Sequence, residues 1–368
     1  GRRSLLFKAG GQRPPLQPRR HLAGRPGKPD RAGRGPAHHP APCYTNLFER
    51  TWHMALYLVT GGSGFIGSHT VDELLRRGDK VRVLDNLLTG RRENLAHVRD
   101  RIEFHELDIR DLEKIRPVFE GADYVIHLAA LASVPRSVAD PVTSNAVNTD
   151  GTLNVLVAAR DAKVKRLVFA ASSAAYGDNP EFPRVETQRP RPLSPYGLTK
   201  LAGEYYCQLF TQLYGFETVA LRYFNIFGPR QNPYSPYTGV LTIFISAYLQ
   251  GKTPTIFGDG EQSRDFTFVA NCVEATLLAC TAPDAGGKVI NVGVGEQFTL
   301  NRTISLLNKI LGKEVKPAYG PPREGDVKDS LADISLARKV LGYEPRVRYE
   351  DGLRKTVEWY RQELGVPQ

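Results

Sequence analysis

Residues 55–78 read ALYLVTGGSGFIGSHTVDELLRRG, and the order of residue types in that stretch decides the fold. ALYLVT is a short apolar run suited to a buried strand, TGGSG is a glycine-rich turn, and SHTVDELLRRG has helical spacing. Gly62, Gly64 and Gly67 satisfy GxGxxG, and Gly61 adds the alternative GxxGxxG. Backbone without Cβ atoms can lie close to a pyrophosphate, and a helix N-terminus favours its negative charge. The next strand-like run, KVRVLDN, ends in Asp85, where a carboxylate can accept from both hydroxyls of a ribose. Asn86 beside it is neutral, which favours NAD, because a 2′-phosphate would be repelled by the carboxylate. Arg91 and Arg92 lie near enough to keep NADP open.

Working outward, the same alternation continues through IEFHELD, DYVIHLAA, a helix over VTSNAVNTDGTLNVLVAARDA, RLVFAAS, a helix from 194 to 214, and ETVALRYF. Such an order predicts an α/β fold, a Rossmann-type doubly wound parallel sheet. After about residue 223, Pro, Gly and aromatic residues increase and the order loosens, which predicts a smaller, interleaved C-terminal α/β substrate domain. The expected division is a dinucleotide-binding domain over 54–222 with a return segment at about 265–285, and a substrate domain over 223–264 and 286–368.

The formal net charge of +10 is unevenly placed. Residues 1–53 hold eleven Lys/Arg against Asp30 and Glu49, leaving 38 against 37 for the remainder. The globular part is therefore balanced, and the basic character belongs to a Pro/Gly/Arg-rich tail too poor in apolar residues to offset the entropy of ordering. Met54 is the only methionine and precedes the first strand, so residues 1–53 are read as upstream sequence rather than as an Arg-rich transit peptide. No apolar run approaches the ~20 residues that span a bilayer. Cys43, Cys207, Cys272 and Cys280 form no CxxC, so neither a metal site nor a disulfide framework is indicated, and a reducing cytoplasm is the expected compartment.

In SPYGLTKLAG (194–203), Ser194 is suited to cap a helix and Pro195 to its first turn, which puts Tyr196 and Lys200 on one face. Spacing alone carries little weight, since Tyr248 and Lys252 have it too, at a point where Gly251 marks a helix end.

Together, TGGSGFIGSH, Asp85-Asn86, Asp108-Ile109, HLAALA (127–132), the Asn148 helix, AASSAAYG (170–177) and YxxxK resemble the extended short-chain dehydrogenase/reductases. LRYFNIFGPRQ (221–231), GDGEQSRDF (258–266) and REGDVKDSLAD (323–333) narrow the resemblance to nucleotide-sugar epimerases, closest to UDP-hexose 4-epimerases. ASVPRSVADP, LSPYGLTK and REGDVKDSLADIS look most like the UDP-N-acetylglucosamine branch. The resemblance covers residues 54–362.

It implies that Tyr196 is the acid/base, that Lys200 assists it and holds the nicotinamide ribose, and that Ser172 hydrogen-bonds the reacting oxygen, with Ser173 a weaker candidate. A phenol near pKa 10 must fall by roughly three units to act as a base at neutral pH, and the Lys200 ammonium and helix N-terminus are expected to favour the anion. The resemblance further assigns NAD contacts to Phe65, Ile66, Asn86, Asp108, Ile109, Leu128, Ala129, Ala130, Ala132 and Asn148. It puts Asn225, Arg264 and Arg323 on the UDP diphosphate and Asp326 on the uridine ribose. Ser330 falls where an aromatic would restrict the sugar pocket, so a small residue leaves room for a 2-acetamido group.

Dehydratases and decarboxylases of this kind carry carboxylates just after the serine, where Ser173 and Ala174 stand, so oxidation at C4 and return of the hydride is the chemistry implied. Ala270-Asn271 departs from the acidic residue often found there, and Asn271 is expected to cap a helix. UDP-glucuronate 4-epimerisation is one alternative, favoured if a cation faces the sugar C6. A non-catalytic member using the basic tail on RNA is another, opposed by the neutral globular part and the intact Ser172, Tyr196 and Lys200. By fold-level analogy a homodimer is expected through the helices near Tyr196 and Asn148.

Overall fold

The structure is a computed structural model that describes residues 54–233, 239–322 and 328–366. It opens with the expected alternation: β1 (Leu56–Thr60), α1 (Phe65–Arg77), β2 (Lys80–Leu84), β3 (Ile102–His105), α2 (Leu112–Ile115), β4 (Tyr124–His127), α3 (Val134–Ala139), α4 (Pro141–Asn145), α5 (Gly151–Asp161), β5 (Arg166–Ser172), α6 (Pro195–Tyr214) and β6 (Glu217–Tyr223). Three short strand pairs follow, joining β7 (Ile226–Phe227) to β10 (Thr267–Phe268), β8 (Thr255–Phe257) to β13 (Ala318–Gly320), and β9 (Ser263–Arg264) to β12 (Phe298–Thr299). β11 (Val289–Val292) rejoins the main sheet. The later helices are α7 (Val240–Leu249), α8 (Val269–Thr281), α9 (Leu300–Leu311), α10 (Ser335–Leu341) and α11 (Tyr349–Glu363).

The main sheet runs β11-β6-β5-β4-β1-β2-β3 and is parallel throughout. Parallel strands are covered on both faces, and β1 shows how. Leu58 packs with Val125, Leu156 and Leu167 in one layer, while its neighbour Val59 packs with Val71, Ile126 and Val168 in the other. The strand order reverses between β1 and β4, which opens a crevice at their carboxyl ends. β11 lies past residue 285, so the chain's return to this sheet runs further than 265–285.

Local rules place the helices that carry the site. The Ser194 hydroxyl accepts from the Gly197 amide at 3.1 Å, Pro195 occupies the first turn, and Gly215 closes α6 at φ 66°. The helix expected over 142–162 is a run of α4, one wide π-helical turn at Ala146–Asp150, and α5. Asn148 sits in that turn, where π-turns commonly mark functional positions.

Two sequence expectations resolve in contrasting ways. Asn271 does not cap its helix: its side chain accepts from Arg346 and Val347 and donates to the Val347 carbonyl at 2.8 Å, pinning a loop to α8. The Tyr248–Lys252 pair is no site, because α7 ends at Leu249, Gly251 turns at φ 68°, and the Tyr248 hydroxyl is spent on Asn308. No helix of the described residues is long and apolar enough to cross a membrane.

Candidate active site

A cleft of about 1520 Å³ lies along the carboxyl ends of β1, β2, β4 and β5 and extends to the short-strand layer. Gly61, Gly64, Phe65, Ile66 and Gly67 line one end, with Asp85, Asn86, Ile109 and the Leu128–Ala132 loop. Ser172, Ser173, Tyr196 and Lys200 line it further along, as do Asn225, Arg264 and Ser330. Asp108 and Asn148 do not line it: Asn148 is buried, and Asp108 is partly exposed beside Arg110. Arg323 and Asp326 lie outside the described residues.

At the glycine end the geometry fits a dinucleotide. A Cβ on Gly67 would meet the Gly61 carbonyl at 2.1 Å, so glycine alone lets α1 begin this close to the turn. Gly61 has φ 71°, and a Cβ there would lie 2.7 Å from the Ala129 nitrogen. No side chain caps α1, whose N-cap is Gly64, so its first amides remain available to an anion. Asp85 is buried at the end of β2 and accepts from the Ser63 and Leu87 amides at 2.9 and 2.8 Å, leaving lone pairs on both oxygens. Burial raises its pKa.

The cations that kept NADP open are both paired with carboxylates, although Arg91 also lines the cleft. Arg91 reaches Glu363 at 2.8 Å, and Arg92 pairs with Glu106. Asn86 donates to Asp108 at 2.9 Å, and the Arg110 guanidinium lowers the Asp108 pKa to about 2. Asn86 and Asp108 therefore form one polar edge around the glycine end.

In the middle of the cleft, Ser172 ends β5 and its hydroxyl oxygen accepts from the Ala174 amide at 3.2 Å, leaving its proton free to donate. The Lys200 ammonium donates to the Ala170 carbonyl at 2.7 Å and lies 4.9 Å above the Phe169 ring. Burial lowers its pKa to about 8, with Cys207 and Glu204 acting in the opposite direction. Glu204, one turn further along α6, is itself buried and paired bidentately with Arg222 at 2.9 and 2.8 Å.

Tyr196 departs from the expected acidic phenol. Burial raises its pKa, the Ser172 hydroxyl partly offsets this, and the Lys200 ammonium is directed at Ala170 instead. Desolvation outweighs the hydrogen bond with Ser172. The backbone around Tyr196 is nevertheless tightly held: its amide donates to Ser137 at 3.0 Å and its carbonyl accepts from Thr199 at 2.9 Å. Asn148 accepts from the Leu131 amide at 2.8 Å and donates to the Leu131 carbonyl and Thr199, each at 3.2 Å. It thus ties the β4 loop to α6 from behind the cleft lining.

At the far end, Asn225 takes φ 40°, a conformation that asparagine tolerates better than most residues, and donates to Ser330 at 3.3 Å and to the Asp265 carbonyl at 3.2 Å. Arg264 donates to the Ser263 and Lys328 carbonyls at 2.8 and 2.9 Å. Asp265 escaped the sequence reading, since beside Arg264 it resembles a surface acid. It is fully buried and accepts from Val294, Gly295 and Ala332, and burial raises its pKa to about 6. An apolar slot of Val240, Leu241, Phe244, Ile256 and Phe257 was also missed. The TPTIF run (253–257) was its one signal, as a short strand after a helix end.

The model of the NAD dependent epimerase/dehydratase family matches residues 57–293. UDP-glucose 4-epimerase of Mycolicibacterium smegmatis is 41% identical over 308 residues, covering 83% of this chain and 98% of the relative. The crystal structure of UDP-glucose 4-epimerase from Thermotoga maritima with UDP-glucose superposes at a TM-score of 0.80, with 42% identity, over 84% of this chain and 99% of that one. UDP-N-acetylglucosamine 4-epimerase from Methanobrevibacter ruminantium, in complex with UDP-N-acetylmuramic acid, gives 0.81 and 41% over the same shares. With its dinucleotide loop, Asp85 and Tyr196-Lys200 helix on the matched fold, the chain belongs to the NAD dependent epimerase/dehydratase family.

Proposed function

We propose that the chain is a UDP-hexose 4-epimerase, interconverting UDP-glucose with UDP-galactose and UDP-GlcNAc with UDP-GalNAc. One observation carries the reading: a single cleft joins a dinucleotide cradle to an arginine- and asparagine-bearing wall, with Ser172, Tyr196 and Lys200 along the same lining. Gly61, Gly64, Gly67 and Asp85 would hold NAD, with Phe65, Ile66, Ile109 and the Leu128–Ala132 loop around it and Asn86 and Asp108 at its edge. When bound, NAD supplies a hydride acceptor at C4 of the sugar and gives the hydride back, so no net redox change occurs.

The chain's own groups do the rest. Tyr196 Oη takes the proton of the sugar 4-OH, directly or through the Ser172 hydroxyl, and a 4-keto sugar results. Lys200, whose ammonium is held on the Ala170 carbonyl, would hold the nicotinamide ribose and bring the positive charge of the same lining to the phenolate. Arg264, Arg323 and Asn225 hold the diphosphate while the hexose turns, and Asp326 holds the uridine ribose. The slot around Phe244 and Phe257 accepts the base. Once the hexose has turned and the other face of C4 is presented, Tyr196 returns its proton to O4. Residues 54–222 with β11 and α8 make the cofactor half, and the remainder makes the sugar half.

Ser330, held beside Asn225, leaves space for a 2-acetamido group. A second reading, UDP-glucuronate 4-epimerisation, is supported by Arg184. This arginine lines the cleft, is 5% exposed, and is bonded to the Asn179 and Glu181 carbonyls with no carboxylate partner among the described residues. Its backbone runs beside Leu331 and Ala332, next to Ser330. Incubation with UDP-glucose, UDP-GlcNAc and UDP-glucuronate, resolving the 4-epimers by chromatography, decides between them. Product from the first two supports our reading, and product from UDP-glucuronate alone replaces it.

The reading includes a homodimer. Leu198, Tyr205, Leu209 and Leu213 are exposed along one side of α6, and Val134, Val138 and Val142 are exposed on the adjoining α3 and α4. An apolar stripe at this spacing fits a second copy of the same helices. The cytoplasm, where nucleotide sugars and NAD are available and thiols stay reduced, is the compartment we assign.

A further inference from the structure

His127, the last residue of β4, is fully buried, yet both ring nitrogens are bonded. Nδ1 lies 2.7 Å from the Thr60 hydroxyl at the end of β1, and Nε2 lies 3.0 Å from the Thr152 hydroxyl on α5. The proton positions follow from counting donors. Thr152 has one hydroxyl proton and gives it to the Asn148 carbonyl at 2.6 Å. Toward His127 it can only accept, so the ring carries its proton on Nε2. Nδ1 is then an acceptor, and Thr60 must donate to it. The Thr60 oxygen in turn accepts from the Ala129 amide at 3.3 Å.

The result is a chain with one direction. It runs from the Ala129 amide through Thr60, His127 and Thr152 to the Asn148 carbonyl. From the Asn148 amide group a second directed run passes to the Thr199 hydroxyl and ends on the Tyr196 carbonyl. Ala129 also abuts Gly61 of the dinucleotide turn. Aligned hydrogen bonds in a buried setting reinforce one another, and a single unpaired member is costly. A neutral imidazole suits the centre because it accepts on one side and donates on the other across a rigid ring. Burial lowers its pKa to about 3, so it stays uncharged near the Lys200 ammonium.

We propose that His127 is a positioning residue for the reaction: through Thr60 and through Thr152–Asn148–Thr199 it sets the first turn of α6, with Tyr196 and Lys200, in register with the dinucleotide turn. The inference rests on the proposed roles of Tyr196 and Lys200. His127 itself touches neither substrate nor cofactor.

The test uses the full-length protein and three variants. His127→Phe keeps a ring and removes both bonds, His127→Gln keeps an acceptor beside a donor, and Thr152→Val removes the relay hydroxyl without changing shape. We expect His127→Phe and Thr152→Val to lower kcat by about tenfold or more, since small misplacements of reacting groups cost that much. The KM for UDP-glucose should stay within about twofold, because the diphosphate anchors are remote, and His127→Gln should recover most of the rate. A purely structural role would lower the melting temperature and leave kcat of the folded fraction unchanged, and that result overturns the proposal. If His127→Phe fails to fold, Thr152→Val decides by the same criterion. Independently of activity, ¹⁵N-histidine NMR at pH 7 should show His127 protonated on Nε2 alone; a proton on Nδ1, or a charged ring, overturns the chain's direction. Wild-type protein with no 4-epimerase activity would instead refute the proposed function, leaving the NMR result to judge the chain.

Discussion

At the scale of single residues, the site is a set of groups whose ordinary chemistry has been altered by burial. Lys200 is the clearest case, its pKa brought down to about 8 by desolvation and partly supported by Glu204. A lowered value means the ammonium is complete below that point and lost above it. The Lys200 side chain itself should therefore lose its proton as pH rises through about 8, read by lysine NMR of the intact protein, and an ammonium still complete at pH ~9.5 would contradict that shift. Ser330 is assigned a different property. Its hydroxyl accepts from Asn225 in the cleft wall, so Ser330→Tyr should reduce turnover of UDP-GlcNAc about tenfold more than that of UDP-glucose. Paired kinetics on the two substrates check this, and equal losses would deny Ser330 a gating role. These side chains could be named from sequence because they sit in dense motifs. Asp265 and His127 could not, since their meaning lies in partners 29 and 25 residues away, Val294 and Thr152.

At the scale of elements, local signals were sufficient wherever the chain solves a local problem. Ser194-Pro195 marked the start of α6 and Gly215 its end, because capping and left-handed closure depend on adjacent residues. The glycine turn was equally legible, since the near-contact of Gly67 with Gly61 is a demand of steric size. The wide turn at Ala146–Asp150 was not, because no residue of AVNTD signals it locally and the ties from Asn148 within it reach Leu131 and Thr199, 17 and 51 residues away. Asn271 misled for the same reason: its partners come from a loop about 75 residues downstream. The α6 cap offers a direct test. Ser194→Ala should cost about 1 kcal/mol of stability, and because Tyr196 lies in the capped turn, kcat should drop several-fold with little change in KM. Urea unfolding and steady-state kinetics on the same preparation check both parts.

At the scale of the whole molecule, a parallel sheet with a reversal between β1 and β4 brings the glycine turn and the Tyr196 helix to one cleft, and the short-strand layer carries Asn225, Arg264 and Ser330 into its lining. The same helix that turns Tyr196 and Lys200 inward exposes Leu198, Tyr205, Leu209 and Leu213 on its other side. Dimer formation, as proposed, would then brace the helix that carries Tyr196 and Lys200. Leu209→Glu is expected to yield monomer in light scattering, with lower thermal stability, whereas an unchanged mass for wild type and variant would discard this face as the interface. The central claim is that one phenol in this cleft moves the proton of a nucleotide-sugar hydroxyl. Chromatographic assay of UDP-glucose and UDP-GlcNAc conversion by wild-type and Tyr196→Phe protein tests it most directly. The account predicts both 4-epimers from the wild type and a loss of about 100-fold or more in the variant; conversion by Tyr196→Phe at the wild-type rate would contradict it.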